Sequence, residues 1–91
     1  MYHITDYTYT RAKNLGVQVK PSTRKNKKLD VFKDGKKIAS IGDVRYGDYP
    51  TFVGKYGADY AYQRRIQYKI RHDKDRRKQW SNGWLADQLL W

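Results

Sequence analysis

The sequence predicts a small α+β domain, on three observations. An Asp34-Gly35 pair sits between two β-prone runs, apolar residues recur at helical spacing from Asp59 to His72, and the chain closes on a segment rich in Trp and Leu. The expected architecture is a β-hairpin, or a three-stranded antiparallel sheet, packed on one main helix with a C-terminal Trp/Leu helical tail. Ninety-one residues leave room for a single core. That core is expected in residues 22–91, a basic α+β domain preceded by an extended segment over residues 1–21. A domain this short buries a modest share of its apolar surface, so a partner's contacts would add to its stability.

The opening stretch alternates Tyr7 and Tyr9 with Thr8 and Thr10, and Leu15-Gly16-Val17-Gln18-Val19 ends before Lys20-Pro21; both read as short strands or extended pieces. Pro21 to Lys28 contains no aliphatic or aromatic residue, which marks either a solvated loop or an arm that orders against a partner. Leu29 to Lys33 and Lys36 to Ile41 flank Asp34-Gly35, a pair suited to the positive φ values of a two-residue type I′ turn. With Lys33 opposite Lys36, Val31 is expected to face Ile38 on the core side, and Phe32 to lie beside Lys37 on the other.

Residues 42–57 carry turn formers at close spacing (Gly42, Gly47, Pro50, Gly54, Gly57) and few aliphatics, which predicts an aromatic loop, ordered or poorly ordered. From Asp59, an N-cap candidate, Tyr62, Ile66 and Ile70 stand four apart and form one stripe of a helix that runs to His72. Ser81-Asn82-Gly83 makes a turn, and Trp84 to Trp91 has room for one or two helical turns.

Twenty Lys and Arg against nine Asp, with no Glu, give a formal charge of +11 and a pI near 10.0. Such an excess attracts polyanions over a long range, so nucleic acid, an anionic membrane surface and an acidic protein face are all candidate partners. The charge falls in two blocks, Arg11 to Lys37 and Arg64 to Lys78, around a Tyr-rich middle. The absence of Cys rules out disulfides, thiolate nucleophiles and Cys-based metal sites. No basic-then-apolar leader opens the chain and no apolar run approaches about 18 residues, so the expected setting is intracellular or inside an assembled particle, not secreted and without a membrane span.

Catalysis finds little support. His3 and His72 lie in polar surroundings far apart in sequence, and no nucleophile motif accompanies either. Asp43 with Asp48, and Asp73 with Asp75, have cationic neighbours that oppose a divalent metal, and the glycines match no P-loop or dinucleotide fingerprint. The expectation is a protein that is not an enzyme, with no cofactor, metal or small-molecule substrate.

Basic residues interleaved with aromatics are the stronger lead. Tyr7 and Tyr9 precede Arg11 and Lys13, Tyr46 follows Arg45, and Tyr60, Tyr62 and Tyr68 surround Arg64 and Arg65. Lys and Arg neutralise phosphates while planar rings stack on bases, the chemistry of sequence-tolerant nucleic-acid binding. The candidate phosphate contacts are Arg24, Lys25, Lys27, Lys28, Lys36, Lys37, Arg64, Arg65, Arg71, Arg76 and Arg77. For the helix, the opposing reading is an ordinary amphipathic element with Tyr62, Ile66 and Tyr68 in the core and a solvated charged rim. Tyr46, Tyr49, Trp84 and Trp91 are the candidate protein-interface residues, although the first expectation for the Trp segment is that it closes the core, with a subunit or capsid contact as the alternative.

The succession Ser22-Thr23-Arg24-Lys25-Asn26-Lys27-Lys28, the hairpin around Asp34-Gly35-Lys36-Lys37-Ile38, Ile41 to Tyr49, Arg65 to His72, and the ending Gly83-Trp84 through Leu89-Leu90-Trp91 resembles a family of small basic proteins of large nucleocytoplasmic DNA viruses, the giant viruses. The resemblance spans about residues 22–91, implies a viral origin and a place in the virion or at viral DNA, and supplies no catalytic residue. Pro50 to Lys55 depart from the family's pattern, which has a His-Lys-Asp stretch there. The resulting expectation is a virion-associated protein that binds nucleic acid largely without sequence specificity, free in the host cytoplasm or nucleus during infection. The alternative is a minor capsid or cement protein set against acidic faces of capsid proteins. Either role is compatible with an oligomer.

Overall fold

At the hairpin turn Asp34 and Gly35 both take positive φ, 53° and 79°, as the Asp-Gly pair requires. In the computed structural model, which describes residues 2–91, this turn joins two strands of a three-stranded antiparallel sheet, and four helices complete an α+β fold. The chain divides into two compact units, Met1–Tyr46 and Gly47–Trp91.

The first unit holds the sheet. Strands β1 (Gln18–Pro21), β2 (Lys27–Lys33) and β3 (Lys36–Asp43) lie in sequence order. Val19 pairs with Val31, Val31 with Ala39, and Leu29 with Ile41, so strand alternation places all five on one face, and all five are buried. Phe32 pairs with Lys37 and Lys33 with Lys36, as the turn dictates, but Val31 meets Ala39 and not Ile38. The register shifts between Val31 and Phe32, leaving Ile38 as the extra residue of a β-bulge on β3, 41 % exposed. Ala39 therefore holds the core position expected for Ile38.

Of the two pieces expected to be extended, the second contains strand β1, whereas the first, with Tyr7 and Tyr9, is helical. Helix α1 (Asp6–Leu15) is capped by the Thr5 hydroxyl, which accepts from the Thr8 N–H at 3.4 Å, and is closed by Gly16 at φ 75°. Its buried residues, Thr8 and Ala12, stand four apart, and α1 lies against β1. The Tyr-Thr alternation that suggests a strand is overridden by these two end signals and by the helical spacing of Ile4, Thr8 and Ala12, all buried. Residues 21–28 form an ordered hairpin connection. Lys27 N–H donates to the Arg24 carbonyl across a turn in which Asn26 has φ 69°.

The second unit is helical. Where a loop is expected, α2 (Tyr49–Tyr56) forms, because the Asp48 carboxylate accepts from the Thr51 N–H at 3.0 Å and Pro50 occupies the first turn, where its missing N–H costs nothing. Gly57, at φ 91°, separates it from α3 (Ala58–Arg71). Gly57 is the N-cap of α3 and Asp59 stands in its first turn, so the capping role expected of Asp59 is not the one it has. The buried residues of α3 are Ala61 and Tyr68, while Tyr62, Ile66 and Ile70 point outward, the reverse of the expected stripe. Helix α4 (Asn82–Leu90) starts at the Ser81 hydroxyl, which accepts from Trp84 N–H, and buries Leu85, Leu89 and Leu90, with Trp91 buried beyond it.

Leu29→Ala is expected to lower the urea-unfolding free energy by about 2–5 kcal/mol through cavity formation, while Ile38→Thr on the bulge shifts it by less than about 0.5 kcal/mol. Equal costs would contradict the bulge. A Cβ at Gly83 would stand 2.7 Å from the Asp75 carbonyl carbon, so Gly83→Ala is expected to lower the thermal midpoint, with Asn82→Ala as the nearby control.

Candidate nucleic-acid interface

The positive charge is uneven between the units. Residues 1–46 carry eleven Lys and Arg against four Asp, and residues 47–91 nine against five. What each cation can offer a phosphate depends on whether the chain's own acids already hold it.

In the first unit the strand face opposite the apolar core is built around Asp30, which pairs across the sheet with Lys20 on one side and Ser40 on the other. Its carboxylate is buried and fully engaged. Ser22 and Ser40 hydroxyls donate to Oδ1 at 2.6 and 2.7 Å, the Thr23 N–H donates to Oδ2 at 3.3 Å, and Lys37 Nζ stands 3.3 Å from Oδ2. Burial pushes the carboxyl pKa up, but the hydrogen bonds from Ser22, Ser40 and Thr23 and the Lys37 ammonium outweigh it and hold the group well below the usual carboxylate range.

This cluster fastens the connection between β1 and β2. The Ser22 Oγ that donates to Asp30 also accepts from the Arg24 N–H at 3.0 Å, the Ser22 N–H donates to the Lys28 carbonyl, and the Val44 N–H donates to the Asn26 carbonyl. Arg24 and Lys25 thus project into solvent from a tethered turn, and neither makes an ion pair among the described residues. Lys36 is likewise exposed beside the other turn, at the far end of β2, about 20 Å away for a seven-residue strand. Between them, on the Asp30 face, Lys20 Nζ stands 5.3 Å from the centre of the half-buried Phe32 ring.

Three expected contacts fare differently. Lys28 is buried, its Nζ 5.2 Å from the Tyr2 ring centre, so it is not presented to a phosphate. Lys37 is half committed to Asp30, and Lys27 is half-buried opposite Asp43. Asp43 itself is held by Arg45 at 2.7 Å; that hydrogen bond and the Arg45 backbone N–H lower its pKa to about 2.

In the second unit four of the nine cations are held, among the described residues, by acids or main-chain oxygens of the same unit. Arg76 and Arg77 both reach Asp73 at 3.0 Å, Lys69 meets the buried Asp87 at 2.7 Å, and Arg65 donates to the Trp91 main-chain oxygen at 2.7 Å while lying 3.5 Å over the Tyr49 ring. The Arg77 hydrogen bond, with the charges of Arg77 and Arg76, depresses Asp73. Arg64 lies over Phe52 at 5.4 Å. Of the five helical cations expected at phosphates, Arg71 is left exposed without an ion pair among the described residues.

The expected interface aromatics separate as well. Trp91 is buried, stacked on Tyr68 at 4.4 Å and 8°, which makes it a core residue. Tyr49 is half-buried under Arg65, and Trp84 is half-buried against Trp80 at 4.9 Å. Tyr46 stays 70 % exposed. Burial, and after it the charges of Asp87 and Asp75, push the Tyr68 hydroxyl up to about 12.

His72, Asp75 and Ser81 border one open depression, a set that superficially suggests nucleophile, base and acid. The Ser81 hydroxyl is committed to capping α4: it donates to the Lys78 carbonyl at 2.6 Å and accepts from Trp84 N–H. Among the described residues no three His or Asp side chains gather in a metal-holding group, and no helix is long and apolar enough to cross a membrane.

The Asp30 cluster and the Lys20–Phe32 pair are absent from the expected site. Their signal is a lone Asp in the middle of a β-prone run, which needs partners once strand alternation turns it toward a buried position.

Residues 17–51 match the model of a family of unknown function (DUF5754), a segment that spans the three strands and the capped start of α2. No curated protein and no solved structure matches the chain.

Asp30→Asn is expected to lower stability by about 2–3 kcal/mol near neutral pH, the scale of hydrogen bonds to a charged group. Because the folded carboxyl titrates below its ordinary 3.8, the contribution is complete above that value and is lost as pH falls below it. Urea unfolding of both proteins from about pH 6 to about pH 2 should show the gap closing only at the acid end.

Proposed function

We propose that this is a non-enzymatic, virion-associated protein that binds nucleic acid largely without sequence specificity, and that its sheet-bearing unit makes the contact. The observation that carries the reading is the pair of unpaired cations, Arg24 and Lys25, on a turn tethered through Ser22 and Thr23 to Asp30, within a unit of eleven bases and four acids. A tethered turn presents its charges without the ordering cost of a floppy arm, and phosphate contacts made this way release counterions without reading base edges. Lys36 and Lys20 extend the positive surface along the strands. Arg76 and Arg77, held by Asp73, contribute little in this scheme. The viral setting rests on the resemblance described above.

A second reading, a minor capsid or cement protein, is favoured by the exposed Tyr46 ring, which Arg45 flanks at 5.9 Å, since Tyr and Arg are common interface anchors. Fractionation of virions into shell and genome core separates the two: recovery with the genome supports the first, recovery with the shell the second.

In an anisotropy titration against duplex DNA at several salt concentrations, the double variant Arg24→Ala, Lys25→Ala should flatten the log K against log salt slope by about 2, at about 0.9 per phosphate contact. Arg76→Ala with Arg77→Ala should leave the slope unchanged. Absence of binding at low salt, or equal effects of the two pairs, would sink the proposal.

A further inference from the structure

The outer side of α3 is apolar where a helix of a small protein is ordinarily polar. Tyr62, Ile66 and Ile70 are 54 %, 37 % and 72 % exposed, at i, i+4 and i+8, while the inner side of the same helix is taken up by Ala61, Arg65 and Tyr68. A single exposed isoleucine needs no explanation, but three large side chains in one line along two turns do.

We propose that this stripe is a self-association face, on which two copies of the chain pair their α3 helices antiparallel about a two-fold axis at Ile66. The stripe is symmetric about that residue, with one large side chain four positions to either side. An antiparallel two-fold pairing sets Tyr62 of one copy against Ile70 of the other, and Ile66 against Ile66. Such self-complementarity is what a closed, isologous contact demands.

The charges at the two ends select a second copy and fix the direction. Asp59 lies three residues before Tyr62, is exposed and, alone among the acids of this unit, makes neither an ion pair nor a hydrogen bond among the described residues. At the other end Arg71 and Lys74 are exposed and make no ion pair among the described residues, and Asp73, which falls opposite Asp59 in this register, is already held by Arg76 and Arg77, so that the end is basic on balance. Antiparallel pairing brings each Asp59 to the partner's basic end, and it also sets the two helix dipoles head to tail. Parallel pairing would oppose acid to acid and base to base. One flank of the stripe carries the uncharged Gln63 and Gln67; on the other, Arg65 and Lys69 are half-buried and already engaged, by the Trp91 main-chain oxygen and by Asp87, so no unpaired charge is forced into the contact. A three-residue stripe falls at the small end of interface sizes, below about 1,200 Å² in total, so the dimer is weak and depends on concentration.

This inference is independent of the nucleic-acid reading, and its test uses the full chain without nucleic acid. Sedimentation velocity from about 5 to about 500 μM should show a monomer moving toward dimer, and Ile70→Asp should raise the dimer dissociation constant at least about tenfold, with an unchanged unfolding midpoint at concentrations where both proteins are monomeric. Asp59→Lys should weaken association, and Asp59→Lys combined with Lys74→Asp should restore it, a rescue that a merely hydrophobic patch would not give. A wild-type chain that stays monomeric throughout overturns the proposal. So does an Ile70→Asp variant that dimerises like wild type, or one that loses stability in a monomeric background, which would mean that the stripe is covered within the chain or by a different protein.

Discussion

The Asp30 carboxylate is the constraint on which the sheet-bearing unit depends. A charged group in the middle of a three-stranded sheet, with less than a tenth of its surface exposed, is tolerable only when every lone pair is satisfied. The chain meets that demand from three directions at once. Ser22 and Thr23 come from the connection before β2, Ser40 from β3, and Lys37 from the strand start beyond the turn. One ionised side chain thereby fixes the register of both strand pairs and pins a connection that has no apolar anchor of its own. Breaking any one of those bonds leaves the others to carry a partly solvated charge, which is why buried polar clusters of this kind act as a unit. The surface consequence is that Arg24 and Lys25 extend from a defined backbone.

Ion pairing inside the chain divides the basic residues into two populations. Asp73 and Asp87 lie among the cations of the helical unit and take up Arg76, Arg77 and Lys69. In the sheet unit Asp30 and Asp43 engage Lys37 and Arg45, while Arg24, Lys25 and Lys36 at the two hairpin ends make no ion pair among the described residues. An overall charge of +11 therefore says less than its distribution, because exposed pairs contribute little field at a distance while unmatched cations contribute fully. The early division of the sequence into two basic blocks locates the residues correctly. It does not reveal which cations of a block are paired, since the Lys69–Asp87 pair spans eighteen positions.

What is legible in the sequence is what local chemistry decides. Asp34-Gly35 dictates its turn, and the turn dictates the pairing of Lys33 with Lys36 and Phe32 with Lys37. One step further the reading fails, because a single inserted residue on β3 turns Ile38 out and Ala39 in, and nothing local announces a bulge. Two helices are hidden by residues with competing preferences. Tyr and Thr favour strands, yet Thr5 and Gly16 bound α1; Gly and Pro favour loops, yet Asp48 and Pro50 start α2. Each pair of end signals is short and local, whereas the composition between them points to another structure. The α3 stripe is the most instructive case. Helical periodicity identifies Tyr62, Ile66 and Ile70 as one face, but periodicity alone does not say which face is buried, and the small Ala61 with the long Arg65 and Tyr68 wins the inner side. The candidate site is legible as composition only: the lysine-rich connection stands out, and the aspartate that organises it does not.

The kink at Ile38 has a bearing on how the protein behaves when crowded. Strand β3 lies at the outer margin of the sheet, the place where a flat, regular run of main-chain donors and acceptors would invite a foreign strand to continue the ladder. Here the irregular residue breaks that run, and Lys36 and Lys37 set two like charges directly before it. Both features disfavour edge-to-edge pairing of β3 with a strand of another copy, the step by which an open sheet margin grows into a fibre.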